Sequence, residues 1–216
     1  MINFLPRLIT GIVYIFLIAG SILYSSKSFT LTFSILMFIA TYESNVLWKK
    51  IRLKNPEYNY PIPQFYVVFS MSTIILVPFY FSNSYNPYPI LFVFILIWIS
   101  DTMSYFFGSY FGNTKMRIKV SPNKTWEGFI GGFLCSLIFS IISFLYIQEI
   151  YAFWKTVLLG ILIPVFGLVG DIYQSKLKRM AGVKDSGSIL PGHGGVFDRL
   201  DSAMGVSYIS FLITII

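Results

Sequence analysis

Seven long apolar runs limit the folds that this chain can adopt. A transmembrane helix needs about 20 mostly apolar residues, because each residue adds only about 1.5 Å along the helix axis. The runs lie at residues 8–24, 29–47, 65–81, 89–107, 128–147, 153–170 and 202–216, and the last of them is short. No strand-like alternation or fixed-period repeat accompanies them, so the sequence predicts an all-α polytopic membrane protein with about seven transmembrane helices.

The composition agrees with a membrane protein. Charged residues make up 12% of the 216-residue chain, whereas soluble domains contain about 25%. This length accommodates several spans but no additional soluble domain. Arg7 precedes the first run, and no small-residue cleavage site follows it, so we expect a retained span rather than a cleaved signal peptide.

The distribution of basic residues predicts the orientation. With seven spans, fourteen of the sixteen bases fall on one side of the membrane, and only Lys27 and Lys155 fall on the other. The fourteen are Arg7, Lys49, Lys50, Arg52, Lys54, Lys115, Arg117, Lys119, Lys124, Lys176, Lys178, Arg179, Lys184 and Arg199. The positive-inside rule then places the N-terminus in the cytoplasm and the C-terminus outside. Topology and anionic lipid explain the net charge of +7 better than a nucleic-acid partner does.

Residues 171–201 form a dense polar segment between two apolar runs. They contain five of the sixteen bases, four of the nine acids and the single histidine, His193. Charge beside hydrocarbon is costly, which favours a functional site. Carboxylates suit magnesium that bridges phosphates, and Lys and Arg suit the remaining phosphate charge. Together with residues 101–127, the segment predicts metal-dependent phosphate chemistry at the cytoplasmic face, the alternative being a solvated loop whose acids and bases pair.

Three acids in this segment are candidate metal ligands. Asp198 and Asp201 are three residues apart, so on a helix they would share a face and could hold one or two ions. A salt-bridged pair flanking Arg199 is the alternative interpretation. Asp171 ends the sixth run, either as a ligand on a rigid helix end or as an ordinary water-facing terminus.

A glycine-rich turn surrounds the histidine. Gly192, Gly194 and Gly195 permit positive φ and a close backbone approach to a phosphate, although an ordinary turn before a helix gives the same pattern. His193 itself fits a proton shuttle, a phosphate donor or a structural residue.

A second polar stretch, residues 121–128, offers phosphate-binding groups. Ser121 and Thr125 are hydroxyl donors and Lys124 supplies charge, but the same stretch is typical of a helix start with Thr125 as N-cap. Glu43 and Asp101 lie inside apolar runs, so each must face protein or a water-filled cavity.

These motifs together resemble one enzyme family. The runs SKLKR at 175–179, KD at 184–185 and LPGHGGVFDRLD at 190–201 resemble the signature of the phosphatidate cytidylyltransferases, also called CDP-diglyceride synthases. Asp101-Thr102 with Tyr105 and Gly108 resembles the family's middle motif, and SPNKTWE at 121–127 resembles its second cytoplasmic motif. The resemblance covers residues 101–202, which divides the chain into N-terminal membrane helices, 1–100, and a catalytic membrane region, 101–216. The chain is shorter than typical members, so we expect one or two N-terminal spans to be absent.

The resemblance implies an activity and a set of site residues. The family forms CDP-diacylglycerol and pyrophosphate from CTP and phosphatidate with magnesium, alone or with a second cation. The resemblance also implies a location in the bacterial cytoplasmic membrane, and it is compatible with a homodimer. Asp171 and Asp198 are expected to hold the metal, with Asp201 close by. The expected catalytic residues are Asp171, Asp198, Asp201, Lys178, Arg179 and Lys184, and the expected substrate-binding residues are Ser121, Lys124, Thr125, Glu127, Asp101, His193 and Arg199.

The residue types agree with this chemistry. A phosphate monoester is largely a dianion near neutral pH, since its second pKa is about 6, and needs no strong general base. We therefore expect His193 to orient its turn or bind a phosphate oxygen rather than act as a base.

Four other interpretations differ from this one in what they require of the sequence. The CDP-alcohol phosphotransferases carry an Asp-x-x-Asp-Gly-x-x-Ala-Arg run, but Ser202 follows Asp201 here. A synthase acting on an ether-lipid phosphate remains an alternative. A transporter would have helices broken at mid-membrane and repeat symmetry, and an inactive scaffold would not explain the intact motif.

Overall fold

The computed structural model describes residues 4–58, 60–80, 84–189 and 194–216, with side chains from Thr10 onward. Within these ranges the chain forms seven α-helices and no strand. The helices are α1 (Phe4–Tyr24), α2 (Ser26–Lys54), α3 (Ile62–Leu76), α4 (Tyr88–Tyr110), α5 (Trp126–Ile147), α6 (Phe153–Ala181) and α7 (Asp201–Ile215). Two short 3-10 turns, Val77–Phe79 and Phe197–Arg199, complete the described structure. The predicted all-α polytopic class is confirmed.

Two helices are longer than the apolar runs that predicted them. Both α2 and α6 contain 29 residues, and their last turns carry cations that the sequence placed in loops, Lys54 on α2 and Lys178 and Arg179 on α6. Asp171 was expected to end its helix, which is wrong, because α6 continues to Ala181. Hydropathy marks where a helix leaves hydrocarbon, whereas Gln, Lys, Leu, Arg and Met favour helix beyond that point.

Five described helices are long and apolar enough to cross a membrane: α2, α3 extended by its 3-10 turn, α4, α5 and α6. Residues 10–24 of α1 and all of α7 are apolar but shorter. Large apolar side chains point outward from the bundle, among them Phe16, Phe38 and Leu145. An outer surface of this kind is expected where lipid rather than water is the solvent.

Helix α6 occupies the centre of the bundle and packs against α2, α4, α5 and α7. Its approach to α7 is very close, because a Cβ on Gly170 would lie 2.7 Å from the Cα of Gly205. Small residues permit such close helix packing in membranes. The contact brings Asp171, the next residue on α6, beside Asp201 at the start of α7.

Candidate active site

A cavity of about 610 Å³ opens between α1, α4, α5, α6 and α7. Four acids line it, Asp101, Asp171, Asp198 and Asp201, together with the cations Lys124 and Arg199. Hydroxyl groups also line it, from Ser100, Ser104, Ser109, Ser121, Thr125 and Ser202, and apolar walls come from Ile15, Phe94, Ile97, Trp98 and Phe129. The cavity therefore combines a highly charged part with an apolar part.

Three carboxylates approach this cavity from three helices. Asp101 on α4, Asp171 on α6 and Asp201 on α7 lie near enough to interact electrostatically. The Oδ1 of Asp201 accepts a hydrogen bond from the backbone N–H of Ser202 at 2.8 Å. Carboxylates this close repel one another when they are ionised, and therefore the arrangement favours a bound cation or another source of positive charge.

Lys124 supplies part of that positive charge. Its ammonium lies 2.5 Å from Oδ2 of Asp171, and each side chain is 27% exposed. The hydroxyl of Ser175, one turn further along α6, donates to Oδ1 of Asp171 at 3.3 Å. The pair joins the segment that precedes α5 to the centre of α6, so the structure brings two predicted site residues together.

The segment before α5 is held by its own backbone and by Glu127. The N–H of Thr114 donates to both carboxylate oxygens of Glu127, at 2.9 and 3.1 Å, and the N–H of Trp126 donates to the carbonyl of Thr114 at 3.0 Å. Glu127 does not line the cavity. Its contacts hold the segment that carries Ser121 and Lys124, and the substrate contact expected for Glu127 remains a prediction.

Thr125 is the N-cap of α5, as one of the two interpretations predicted. Its Oγ1 accepts a hydrogen bond from the N–H of Gly128 at 3.3 Å, and the residue is buried. An N-cap of this kind stabilises a helix by about 1 kcal/mol. Thr125 still lines the cavity, next to Ser121 and Lys124.

Asp198 lies at the centre of a buried hydrogen-bond network. Its Oδ1 accepts from the ammonium of Lys178 at 2.7 Å. Its Oδ2 accepts from the N–H of Ser186 at 2.8 Å, from the hydroxyl of Ser186 at 2.9 Å and from the N–H of Gly195 at 3.0 Å. Burial raises the pKa of Asp198, but the bonds from Lys178, Gly195 and Ser186 outweigh it and lower the pKa overall.

This network differs from the metal-ligand role expected for Asp198. Both of its oxygens already accept hydrogen bonds from protein donors, so an ion would have to displace Lys178 or the Ser186 contacts to bind there. The metal role of Asp198 therefore remains a prediction, and the contacts in the structure are those of a residue that organises the α6–α7 connection.

The hypothesis that Asp198 and Asp201 share a helix face is wrong. Asp198 lies in the 3-10 turn Phe197–Arg199, whereas Asp201 begins α7. Leu200 separates them with φ −106° and ψ 10°, outside the α-helical region. Asp198 is bonded to Lys178 and Ser186, while Asp201 interacts with Asp171 and Asp101.

The predicted basic residues fall in different places. Lys178 reaches Asp198, and Arg199 lines the cavity. Arg179 instead donates from Nη1 to the carbonyl of Val183 at 3.0 Å, beyond the end of α6. Lys184 is exposed, and neither it nor Arg179 lines the cavity. For these two cations the structure gives no contact with the acids of the cavity.

The glycine turn is described only in part. His193 and Gly192 lie outside the described residues. Gly194 has φ +82°, which matches the positive φ predicted for this turn. A Cβ on Gly194 would lie 2.8 Å from Oδ2 of Asp198, and the N–H of Gly195 donates to that oxygen. The close backbone approach expected toward a phosphate is therefore made toward Asp198.

Two residues that the sequence did not assign to the site contact its framework. Glu43 on α2 is buried and accepts hydrogen bonds from Ser186, Val196 and Phe197. The hydroxyl of Tyr14 on α1 donates to the carbonyl of Arg199 at 3.1 Å. Glu43 could have been found from the sequence, because it is an acid inside an apolar run. Tyr14 could not, because a tyrosine in an apolar helix does not by itself indicate a site.

The donor set fits magnesium. Among the residues that the structure describes, no group of three or more His, Cys, Asp or Glu side chains is arranged to hold a metal ion by itself. Magnesium, however, usually keeps several waters and binds through one or two carboxylates plus substrate phosphates. Asp171, Asp201 and Asp101 provide three carboxylates at the cavity, and an ion at Asp171 would take the place of Lys124 or Ser175 at its oxygens.

Comparisons with known proteins give a consistent answer. A family model described as the cytidylyltransferase family matches residues 62–216. The phosphatidate cytidylyltransferase of Staphylococcus saprophyticus is 45% identical over 127 residues, which is 59% of this chain and 49% of that protein. Proteins of the same name from Staphylococcus haemolyticus and Staphylococcus aureus are 46% and 45% identical over 128 residues, with the same coverage of 59% and 49%. The chain spans about half the length of the curated relatives it matches.

Proposed function

Since the chain belongs to the cytidylyltransferase family, we propose that it transfers a cytidylyl group from CTP to phosphatidate and releases pyrophosphate. The observation that carries this proposal is the cavity in which Asp101, Asp171 and Asp201 face Lys124 and Arg199 beside apolar walls. Such a cavity suits a substrate that is charged at one end and apolar at the other. The names of the staphylococcal relatives support the same lipid substrate.

The reaction is a displacement at the α-phosphorus of CTP. A phosphate oxygen of phosphatidate forms a bond to that phosphorus, and the bond from phosphorus to the oxygen that bridges to the β-phosphate breaks. The electron pair of the broken bond leaves with pyrophosphate. The nucleophile is already anionic near neutral pH, so the main obstacle is repulsion between two anions rather than removal of a proton.

The residues at the cavity are suited to removing that repulsion. Lys124 and Arg199 place positive charge where the phosphates would lie, and the hydroxyl of Ser121 is a hydrogen-bond donor beside them. Asp171 and Asp201, with Asp101, would hold magnesium against the phosphates of CTP, and the ion would supply stabilisation of the charge that develops on pyrophosphate. The hydrogen-bonded pair of Asp171 and Lys124 keeps a carboxylate that would hold magnesium next to a cation that would bind phosphate.

We place this cavity at the cytoplasmic face of a bacterial membrane. Fourteen of the sixteen bases lie on one side if α1 and α7 also cross the bilayer. CTP is a cytoplasmic nucleotide, whereas phosphatidate resides in the bilayer. A site at that boundary would be reachable by both substrates, and in this orientation the C-terminal ends of α4 and α6 would lie there.

Incorporation of label from CTP into lipid tests the proposal. Purified protein is incubated with magnesium, CTP labelled at the α-phosphate and either phosphatidate, an ether-linked analogue or no lipid. Labelled CDP-diacylglycerol that requires phosphatidate is the expected result. Label that enters lipid only with the ether-linked analogue would assign the alternative substrate, and absence of labelled lipid with both would refute the proposal.

The transporter alternative receives no support from the helices. It predicted helices broken at mid-membrane, whereas α4, α5 and α6 each run without interruption. Pro164 lies inside α6 and lines the cavity, yet the helix continues on both sides of it.

A further inference from the structure

Glu43 connects α2 to the distant segment that joins α6 and α7. It is 3% exposed. Its Oε1 accepts a hydrogen bond from the N–H of Val196 at 3.2 Å, and its Oε2 accepts from the N–H of Phe197 at 2.8 Å and from the hydroxyl of Ser186 at 3.0 Å. A carboxylate buried in an apolar helix is costly unless it is hydrogen-bonded. The two N–H groups provide that compensation, and the hydroxyl of Ser186 adds to it with a single hydrogen that it shares with Asp198.

The same segment holds Asp198. The hydroxyl of Ser186 lies 3.0 Å from Oε2 of Glu43 and 2.9 Å from Oδ2 of Asp198. The N–H of Gly195, which donates to Asp198, directly precedes the N–H groups that donate to Glu43. One short stretch of backbone therefore divides its donors between a carboxylate of α2 and the carboxylate that binds Lys178.

The space around Glu43 is shaped for its carboxylate. A Cβ on Gly187 or on Gly195 would collide with the oxygens of Glu43. Backbone without side chains therefore surrounds Glu43 on two sides, which allows the N–H groups to reach it. This close fit makes the position of the α6–α7 connection depend on Glu43.

We propose that Glu43 is a positioning residue for the cytidylyl transfer, because it sets the location of Asp198 and, through Asp198, of Lys178 beside the cavity. The expected effect of Glu43 on kcat rests on the proposed function. It assigns a role in the site to α2, which precedes the residues 62–216 that match the family model. Glu43 acts through hydrogen bonds to the connection, so it does not itself need to contact substrate.

Exchange of Glu43 for glutamine tests the inference. An amide has one oxygen, so its NH2 group must face the N–H of either Val196 or Phe197, whichever way the side chain is turned. For residues that orient metal ligands, the loss of such a contact typically costs about 10- to 100-fold in activity, and we take the same order of magnitude for the partner of Asp198. We expect Glu43→Gln to lower kcat by that factor with a smaller change in KM for CTP. Glu57→Gln makes the same substitution at an exposed glutamate and should retain the parental kcat.

Two further measurements separate positioning from stability alone. Glu43→Asp keeps both carboxylate oxygens and should recover part of the kcat that is lost in Glu43→Gln. If Glu43→Gln does not fold, Glu43→Asp takes its place as the test variant. Hydrogen exchange at the amides of Val196 and Phe197 should be faster in Glu43→Gln, while α5 remains protected. This readout does not depend on activity, so it tests the contact even if the proposed reaction is wrong.

A parental kcat for folded Glu43→Gln would overturn the inference, as would unchanged exchange at Val196 and Phe197. A lower melting temperature with unchanged kcat would assign Glu43 a role in stability only, which also contradicts it. If the glutamine variant does not fold, a parental kcat and parental exchange in Glu43→Asp would contradict the role, because the shorter side chain cannot reach all three donors in the same way.

Discussion

The ammonium of Lys178 lies 2.7 Å from Oδ1 of Asp198, and the two side chains are only 12% and 3% exposed. Breaking such a buried pair from one side leaves a charge without its partner, which typically costs about 3–5 kcal/mol. The pair therefore contributes to the stability of the α6–α7 connection as well as to the charge beside the cavity.

Asp198→Asn should reduce both turnover and stability. If Asp198 serves the metal site, its exchange for asparagine removes a few kcal/mol of metal stabilisation and should slow turnover by roughly two to four orders of magnitude. The structure adds that the new NH2 group would face Lys178 or the N–H groups of Ser186 and Gly195, so we also expect a lower melting temperature. The control is Glu149→Gln, which changes an exposed acid that is distant from Asp198 in the sequence. Near-parental turnover in Asp198→Asn would show that the reaction does not need this carboxylate.

Lys124→Met should weaken the use of CTP while it leaves the fold intact. Its pair with Asp171 is partly exposed, so the stability change should remain below about 1 kcal/mol. A hydrogen bond to a charged group is worth about 1.5–3 kcal/mol, which corresponds to roughly 10- to 100-fold in kcat/KM for CTP. Lys119→Met removes an exposed cation of the same segment that does not line the cavity and should have little effect. Equal kinetics in the two variants would contradict the role of Lys124.

Gly170→Ala should separate the two helices that carry Asp171 and Asp201. The added Cβ would lie 2.7 Å from the Cα of Gly205, and overpacking of this kind typically costs about 1–3 kcal/mol. Thermal unfolding in detergent and the rate of label transfer should both show the loss. Gly20→Ala is the matched control, since nothing lies within 4 Å of its added Cβ. A fully stable and active Gly170→Ala protein would show that α6 and α7 tolerate a wider separation.

The topology has its own test. If α1 and α7 cross the membrane along with the five longer helices, the C-terminus lies outside and the basic residues lie inside. A fluorescent reporter that folds only in the cytoplasm should stay dark when fused after Ile216. A bright reporter would mean that α1 or α7 does not span.

The fold was largely predictable from the sequence, because apolar runs of this length have few alternatives to helix. The ends of α2 and α6 were not, since hydropathy does not record how far a helix continues into water. Asp101, Asp171, Asp201 and Lys124 were found as charges beside hydrocarbon, and the structure brings them to one cavity. The contacts of Asp198 were missed because they depend on backbone donors at Ser186 and Gly195, which no pattern of residue types reveals.

The most direct test of the central claim follows both halves of CTP in one reaction. Label at the α-phosphate should appear in lipid, and label at the γ-phosphate should appear in pyrophosphate, in equal amounts and only with phosphatidate and magnesium present. Asp171→Asn should lose both products together, because this carboxylate is expected to hold the metal against CTP. Release of γ-labelled phosphate without α-label in lipid, or equal products from Asp171→Asn, would contradict cytidylyl transfer at this cavity.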